Sequence, residues 1–192
     1  MKKNLLDYVK HYKSFLKDDL CEKTIIELNK LDNSIWKEHL FYDYSKNETR
    51  KQSGDKELSI AYSEKISTKE IIMKELWNAI DDYVKNLGFG WFAGWSGYTS
   101  IRFNKYEKNK KMAEHCDHIQ SIFDGNIKGI PILSVLGILN NDYEGGEFIM
   151  FKNKKINLLK GDLLIFPSVF LYPHKVEPIK KGTRYSFISW VH

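Results

Sequence analysis

Apolar residues change their rhythm near residue 90 of this chain. Before it they recur at helical intervals. Ile72, Leu76, Ile80 and Val84 stand four residues apart, with Met73, Trp77 and Tyr83 beside them. That spacing collects them on one face and predicts a helix over Thr68–Leu87, its apolar stripe packed on a sheet. Ser67 and Glu70 form a candidate capping box at its start, and Gly88 stands where a left-handed residue closes a helix. Asp19 and Glu22 form a second candidate box, before an apolar stretch that includes Ile25, Ile26 and Leu28. The helix they open is expected to stop near Leu31, Asp32 and Asn33. Residues 8–12 read as a short strand, and the polar run 45–56 as a mobile loop.

After Gly88, short β-type runs alternate with turn residues. The runs are 99–103, 130–139, 147–151, 163–166, 169–176 and 185–191. Turn signals separate them at 140–142, Gly145 with Gly146, 160–162, and Lys181 with Gly182. Many short strands at close spacing predict an antiparallel sandwich or barrel. The glycine-rich, aromatic segment 88–98 reads as the turn into the first strand, with its aromatics in the core. No Pro/Gly/Ser-rich spacer and no repeat interrupts the chain. The expected organisation is one domain over 1–192, in which a helical support layer (1–90) feeds a β-core (91–192). The fold class is α+β, mainly β.

Composition narrows this picture. With 192 residues, 42% of them hydrophobic, the chain can bury a substantial core, and its 14% aromatic content favours strands. Thirty basic against 25 acidic residues give a net charge of +5, and the lysines are scattered. Only 105–111 is dense in them, so a solvated surface is expected and a nucleic-acid partner is not. Cys21 and Cys116 make no disulfide framework, which fits a reducing compartment. Asp7 and Lys10 break any signal-peptide core, and no run approaches the roughly 18 apolar residues of a membrane span. A cytoplasmic protein without membrane contact is expected, in the host cytoplasm if the chain is viral.

The candidate chemistry is a dispersed set. His115, Cys116 and Asp117 are consecutive, His174 follows 57 residues after Asp117, and Arg184 stands ten residues later. On a strand, residues i and i+2 share a face, so His115 and Asp117 can reach one ion while Cys116 points away. Two imidazoles and a carboxylate hold ferrous iron by one triangular face and leave three positions open. A chelating 2-oxo acid can fill two of these and dioxygen the third, with Arg184 on the acid's far carboxylate. A turn at 180–182 is expected to set the strand of Arg184 antiparallel to that of His174. Zinc is the alternative metal, although the helical H-E-x-x-H pattern of zinc hydrolases is absent. A jelly-roll sandwich is a natural host, because opposite strands converge inside its mouth. By parity His118 points away from the ligands. His11, His39 and His192 are expected at the surface, and Cys116 as a small buried residue.

At these residues the chain resembles the prolyl 4-hydroxylase-like branch of the 2-oxoglutarate, Fe(II)-dependent dioxygenases, and in particular its small forms from bacteria and bacteriophages. The matching pieces are RFNKY (102–106), HCD (115–117), DYEGGEF (142–148), KGDLLIFPS (160–168), LYPHKV (171–176) and KGTRYSFISW (181–190). The resemblance implies a double-stranded β-helix (jelly-roll) core with supporting N-terminal helices. It implies that His115, Asp117 and His174 bind iron, and that Arg184 and the Tyr106 hydroxyl take the distal carboxylate of 2-oxoglutarate. It also implies that Trp190 lines the cofactor end of the barrel. Fe(II), 2-oxoglutarate, O2 and ascorbate as a reductant are the implied cofactors, and a peptide, protein or small molecule hydroxylated at a C–H bond is the implied partner. Arg184 stands where prolyl hydroxylases of this branch often carry Lys, and 107–112 lacks the glycine and second aromatic usual there. Three further readings stand beside a prolyl hydroxylase: an oxygenase of modified nucleic-acid bases, a hydroxylase of free amino acids or small molecules, and an inactive jelly-roll binding module. Trp190, where base-directed relatives usually carry a second Arg, counts against the first. The intact HCD, His174 and Arg184 count against the last.

Overall fold

The computed structural model describes residues 4–43, 45–90, 92, 95–117 and 131–192. Among these, the first part of the chain runs β1 (Lys10–Tyr12), α1 (Asp18–Asn29), β2 (Lys37–Glu38), β3 (Phe41–Asp43), β4 (Glu48–Arg50), β5 (Ser59–Ala61) and α2 (Thr68–Leu87). The second part begins with β6 (Arg102–Tyr106), β7 (Met112–His115), β8 (Leu133–Ile138), β9 (Glu144–Gly145) and β10 (Phe148–Met150). It continues with β11 (Lys154–Ile156), β12 (Leu163–Pro167), β13 (His174–Val176), β14 (Ile179–Lys181) and β15 (Arg184–Val191).

The strands form a major sheet in the order β1-β12-β8-β15-β6-β5-β2 and a smaller one in the order β11-β10-β13-β7. All pairings within these sheets are antiparallel. The two sheets enclose one apolar cluster, with Tyr106, Leu136, Ile138, Leu164 and Phe166 meeting Met112, Phe148, Met150 and Val176. The other face of the major sheet packs on α1 and α2 through Phe103, Leu133, Val135, Leu163, Ile165 and Phe187. This is the double-stranded β-helix with a helical layer that the sequence implied.

Strand alternation sorts the side chains between these two spaces. Successive residues of β8 and β12 enter opposite clusters, and Tyr185, Phe187 and Val191 of β15 enter the one under the helices. Gly137 pairs with Phe187 across β8 and β15. A Cβ at Gly137 would lie 2.0 Å from the Phe187 ring, so only glycine lets that ring lie flat on the sheet.

The N-terminal region departs from a purely helical layer. β1 forms one edge of the major sheet, and β5 and β2 form the other. These strands are two or three residues long, too short to show a period of two. The run 45–56 also contains β4, paired with β3 in a hairpin. Helix α2 has the predicted bounds, and Gly88 closes it at φ 64°, ψ 24°. Ser67 makes no side-chain cap to α2. Instead Glu27 of α1 accepts hydrogen bonds from the Thr68 N–H and hydroxyl. Asp19 and Glu22 lie inside α1, which starts two residues earlier than that box would place it, and Glu22 pairs with Lys160. Trp77 is exposed rather than buried, packing at a tilt against Trp95 with ring centroids 4.5 Å apart. Trp91, Ala93 and Gly94 of the aromatic segment lie outside the described residues. No helix among the described residues is long and apolar enough to cross a membrane.

Candidate metal centre

His115 ends β7 and His174 opens β13, immediately after Pro173, and the two are direct register partners. That pairing brings their rings to 4.4 Å between centroids. Asp117 lies just past the end of β7 rather than on it, yet it converges as parity required. Its Oδ1 is 3.3 Å from His115 Nε2 and 3.7 Å from His174 Nε2. One ligand atom from each residue fits within a 4.8 Å span.

The surroundings orient this trio. His115 Nδ1 is 2.8 Å from the Ala113 carbonyl, and His174 Nδ1 is 3.1 Å from that of Tyr172. A carbonyl only accepts, so each Nδ1 carries a hydrogen and each Nε2 is the nitrogen turned toward Asp117. Ser134 donates to Asp117 Oδ2 at 2.7 Å, which leaves Oδ1 for the imidazoles. Burial would by itself raise the Asp117 carboxyl, but His174, His115 and the Ser134 hydroxyl hold it far below the usual range. Burial, followed by the neighbouring His115, pushes His174 down to about 4. With both imidazoles neutral, as metal binding requires, three acceptor atoms face one another without a hydrogen between them. Such a set repels itself until a cation enters, and two neutral imidazoles with a carboxylate suit a borderline divalent ion. Phe148 and Phe166 pack on His174, and Phe41 on His115.

Arg184 and Tyr106 are register partners across β15 and β6. The guanidinium carbon sits 5.0 Å from the centre of the Tyr106 ring. Arg184 is 1% exposed and donates from Nη1 to Ser186 Oγ at 3.0 Å, while its Nε is buried without an acceptor among the described residues. A cavity of 260 Å³, lined in part by Gly146, Phe148, Ile156 and Leu158, reaches Arg184. The strand of Arg184 does not pair with that of His174. β14 intervenes, and the two residues stand in opposite sheets. This arrangement lets the arginine face the metal ligands across the barrel.

Trp190 lies at the other end of β15, opposite Ser134. That places it on the Asp117 side, six residues from the Arg184 end. His118 lies outside the described residues. The other histidines differ from expectation. His11 bonds Asp162 at 2.8 Å, and His192 is half-buried near Ser96. His39 is buried against Phe41 and is pushed down to about 3, first by burial and then by the charge of Arg102. Cys116 is half-buried, not fully buried. Sequence reasoning passed over Ser134. Its signal was a single hydroxyl inside the apolar run 130–139, at a position that faces the site.

Comparison with known proteins agrees with this geometry. Residues 101–192 match the model of the 2OG-Fe(II) oxygenase superfamily. Curated relatives include a PKHD-type hydroxylase of Delftia acidovorans, 31% identical over 97 residues that make up 47% of this chain and 42% of that protein. Another, from Crocosphaera subtropica, is 34% identical over 100 residues, 48% of this chain and 42% of that protein. The chain thus spans less than half the length of the curated relatives it matches. Among solved structures, a Trichoplax adhaerens prolyl hydroxylase in complex with a hypoxia inducible factor peptide superposes with a TM-score of 0.69 at 20% identity. It covers 98% of this chain and 86% of the other. A Pseudomonas putida prolyl-4-hydroxylase gives 0.67 at 18% identity, over 98% and 96%.

Proposed function

We propose, from the match of residues 101–192 to the 2OG-Fe(II) oxygenase superfamily, that this chain is a 2-oxoglutarate- and Fe(II)-dependent dioxygenase hydroxylating a C–H bond of a peptide or protein side chain, proline first. The observation that carries the reading is the inward-facing acceptor trio of His115, Asp117 and His174, with Arg184 across the barrel. Ferrous iron bound there supplies the oxidising chemistry, coupling O2 to the conversion of 2-oxoglutarate into succinate and CO2.

The chain's own residues supply placement. His115, Asp117 and His174 hold the ion, and the Ala113 and Tyr172 carbonyls and Ser134 fix their orientation. Arg184 offers a planar fork to the distal carboxylate of 2-oxoglutarate, and the Tyr106 hydroxyl adds a neutral donor. Phe148 and Phe166 keep water from His174. Hydroxylation is favoured by the named activity of the curated relatives, and a prolyl substrate by that of the structural neighbours. Two free thiols, Cys21 and Cys116, fit a reducing cytoplasm.

Arg184→Ala tests the reading. Removing one partner of a largely desolvated pair costs about 3–5 kcal/mol, roughly two to three orders of magnitude in 2-oxoglutarate affinity. Metal content should not change, because Arg184 is not a ligand. A variant that binds 2-oxoglutarate as the wild type does would remove the reading. Succinate release across peptides, amino acids and oligonucleotides then sorts the substrate class.

A further inference from the structure

Arg102 is a buried cation that the proposed chemistry does not use. It starts β6, is 8% exposed, and shares the inter-sheet face with Asn104 and Tyr106. Its Nε donates to Asn104 Oδ1 at 3.1 Å, and its guanidinium carbon lies 5.1 Å from the centre of the Trp190 ring. It forms no ion pair among the described residues. The buried Lys69, by contrast, is paired with Glu64. The fully buried Glu57 carboxylate forms no ion pair with Arg102: its Oε1 accepts the Ser53 N–H at 2.6 Å, and its Oε2 faces His39 Nδ1 at 4.0 Å without a hydrogen-bond partner among the described residues. Trp190 adds a second observation. It is 6% exposed, and its Nε1 is buried with no acceptor among the described residues.

A buried guanidinium with no ion-pair partner among the described residues thus adjoins a buried indole N–H with no acceptor among them. Buried polar groups are normally satisfied, and an unpaired buried charge is costly, so such a pair marks a place for a ligand. Its position is specific. Arg102 pairs with Ile188 in register, and Trp190 pairs with Ser134, which holds Asp117. The spot therefore adjoins the candidate metal ligands, while Arg184 stands at the other end of β15. Arg102 is four residues from Tyr106 along β6, or about 13 Å of strand.

We propose that Arg102 and the Trp190 indole N–H form an oxyanion subsite for the substrate, so that the preferred substrate carries a carboxylate near the C–H bond to be oxidised. This rests on the dioxygenase reading and deepens it by naming a substrate class. A single buried guanidinium, its Nε already engaged, compensates one negative charge and offers its remaining edge to a planar carboxylate. A phosphate dianion asks for more cations than the spot provides. The carboxylate can be the α-carboxylate of a free amino acid or an acidic side chain in a peptide.

Calorimetric titration of the full chain, loaded with Mn(II) and 2-oxoglutarate without oxygen, tests this with matched probes. The pairs are L-proline with L-prolinamide, acetyl-Gly-Pro-Glu-amide with acetyl-Gly-Pro-Gln-amide, and thymidine 5′-monophosphate with thymidine. In one of the two proline pairs the acid should bind about tenfold tighter than its amide, the value of a hydrogen bond to a charged group. Which pair shows the preference identifies the source of the carboxylate. Arg102→Gln should abolish the preference and leave 2-oxoglutarate affinity within about twofold. Trp190→Phe should reduce it while retaining the ring.

Absence of the preference in both proline pairs, its survival in Arg102→Gln, or its confinement to the phosphate pair would overturn the subsite. Failure of the dioxygenase reading looks different: the wild type itself would not bind 2-oxoglutarate, or Arg102→Gln rather than Arg184→Ala would lose it. If Arg102→Gln melts below the assay temperature, Arg102→Lys takes its place. It keeps the charge and loses the fork, and an undiminished preference there also overturns the proposal.

Discussion

The two faces of β15 belong to one strand and follow different rules. Tyr185, Phe187 and Val191 join the cluster under α1 and α2, where the fit is close enough that Gly137 must lack a side chain. Arg184 and Trp190 face the space between the sheets, and each leaves a buried nitrogen without an acceptor among the described residues. Close-packed hydrocarbon stabilises a fold, whereas buried unsatisfied donors cost stability and persist where a ligand completes them. The difference teaches that, in this chain, stability lies on the helical side of the major sheet and candidate chemistry on the other.

The sharpest way to break that division is Phe187→Ala. Truncating a buried phenylalanine costs about 3–5 kcal/mol, and Gly137 beneath it offers nothing to refill the space. Urea unfolding should show this loss, while the folded fraction keeps its 2-oxoglutarate affinity. A loss below about 1 kcal/mol would mean that the helical face does not carry the stability assigned to it.

The second test uses acid. His39 and His174 line the site side and are depressed to about 3 and about 4, in each case mainly by burial. Below pH 6.5 the unfolded chain therefore binds protons at both positions that the folded chain refuses. Stability of the metal-free protein should fall as pH drops from 6.5 toward 4, by about 2–3 kcal/mol per pH unit near pH 5. The depressed Asp117 contributes in the same direction only below its ordinary carboxylate range. His39→Gln should remove about half of the slope. An unchanged slope in that variant would show that His39 takes up its proton in the folded state.

Much of the site was legible because its parts are local or periodic. HCD needed only the alternation of an extended chain, which Asp117 keeps although it lies just past the end of β7, and His174 needed only a place on another strand. The Arg184–Tyr106 pairing was implied by resemblance, and the register of β6 against β15 now gives it a physical basis. What was not legible depends on long-range packing. The outer strands β1, β5 and β2 are too short to carry a pattern, and they form because β12 and β6 offer open edges to extend. His39 sits in a polar-looking stretch that the hairpin β3–β4 and the Glu57 segment enclose. Arg102 was quoted only as a letter of RFNKY, since no spacing distinguishes an arginine that faces a site from one that faces water.

Tyr106→Phe sharpens the site side with a smaller effect. It removes one hydroxyl and keeps the ring under Arg184. Loss of a hydrogen bond to a charged group costs about 1.5–3 kcal/mol, so 2-oxoglutarate affinity should fall about tenfold to a hundredfold, less than for Arg184→Ala. Unfolding in urea should be nearly unchanged, because the hydroxyl packs no hydrocarbon. An affinity equal to wild type would take Tyr106 out of the binding site.

The smallest effect is expected at Glu27, on the helical side. The sequence offered Ser67 and Glu70 as the cap of α2, but the orphan N–H of Thr68 is taken by Glu27, 41 residues earlier on α1. The same carboxylate accepts the Thr68 hydroxyl, and Thr68 in turn receives the Thr24 hydroxyl hydrogen bond from α1. This contact caps one helix and ties it to the other. Loss of a helix cap costs about 1 kcal/mol, within a range of 0.5–2. Glu27→Ala should therefore lower urea stability by about that amount, with 2-oxoglutarate affinity and metal content unchanged. The double variant Glu27→Ala with Ser67→Asp should regain part of the loss, because an aspartate at the N-cap can satisfy the same N–H locally. If that local cap restores nothing, Glu27 acts by holding α1 against α2 rather than by capping, and stability on this face depends on the helix pair as a unit.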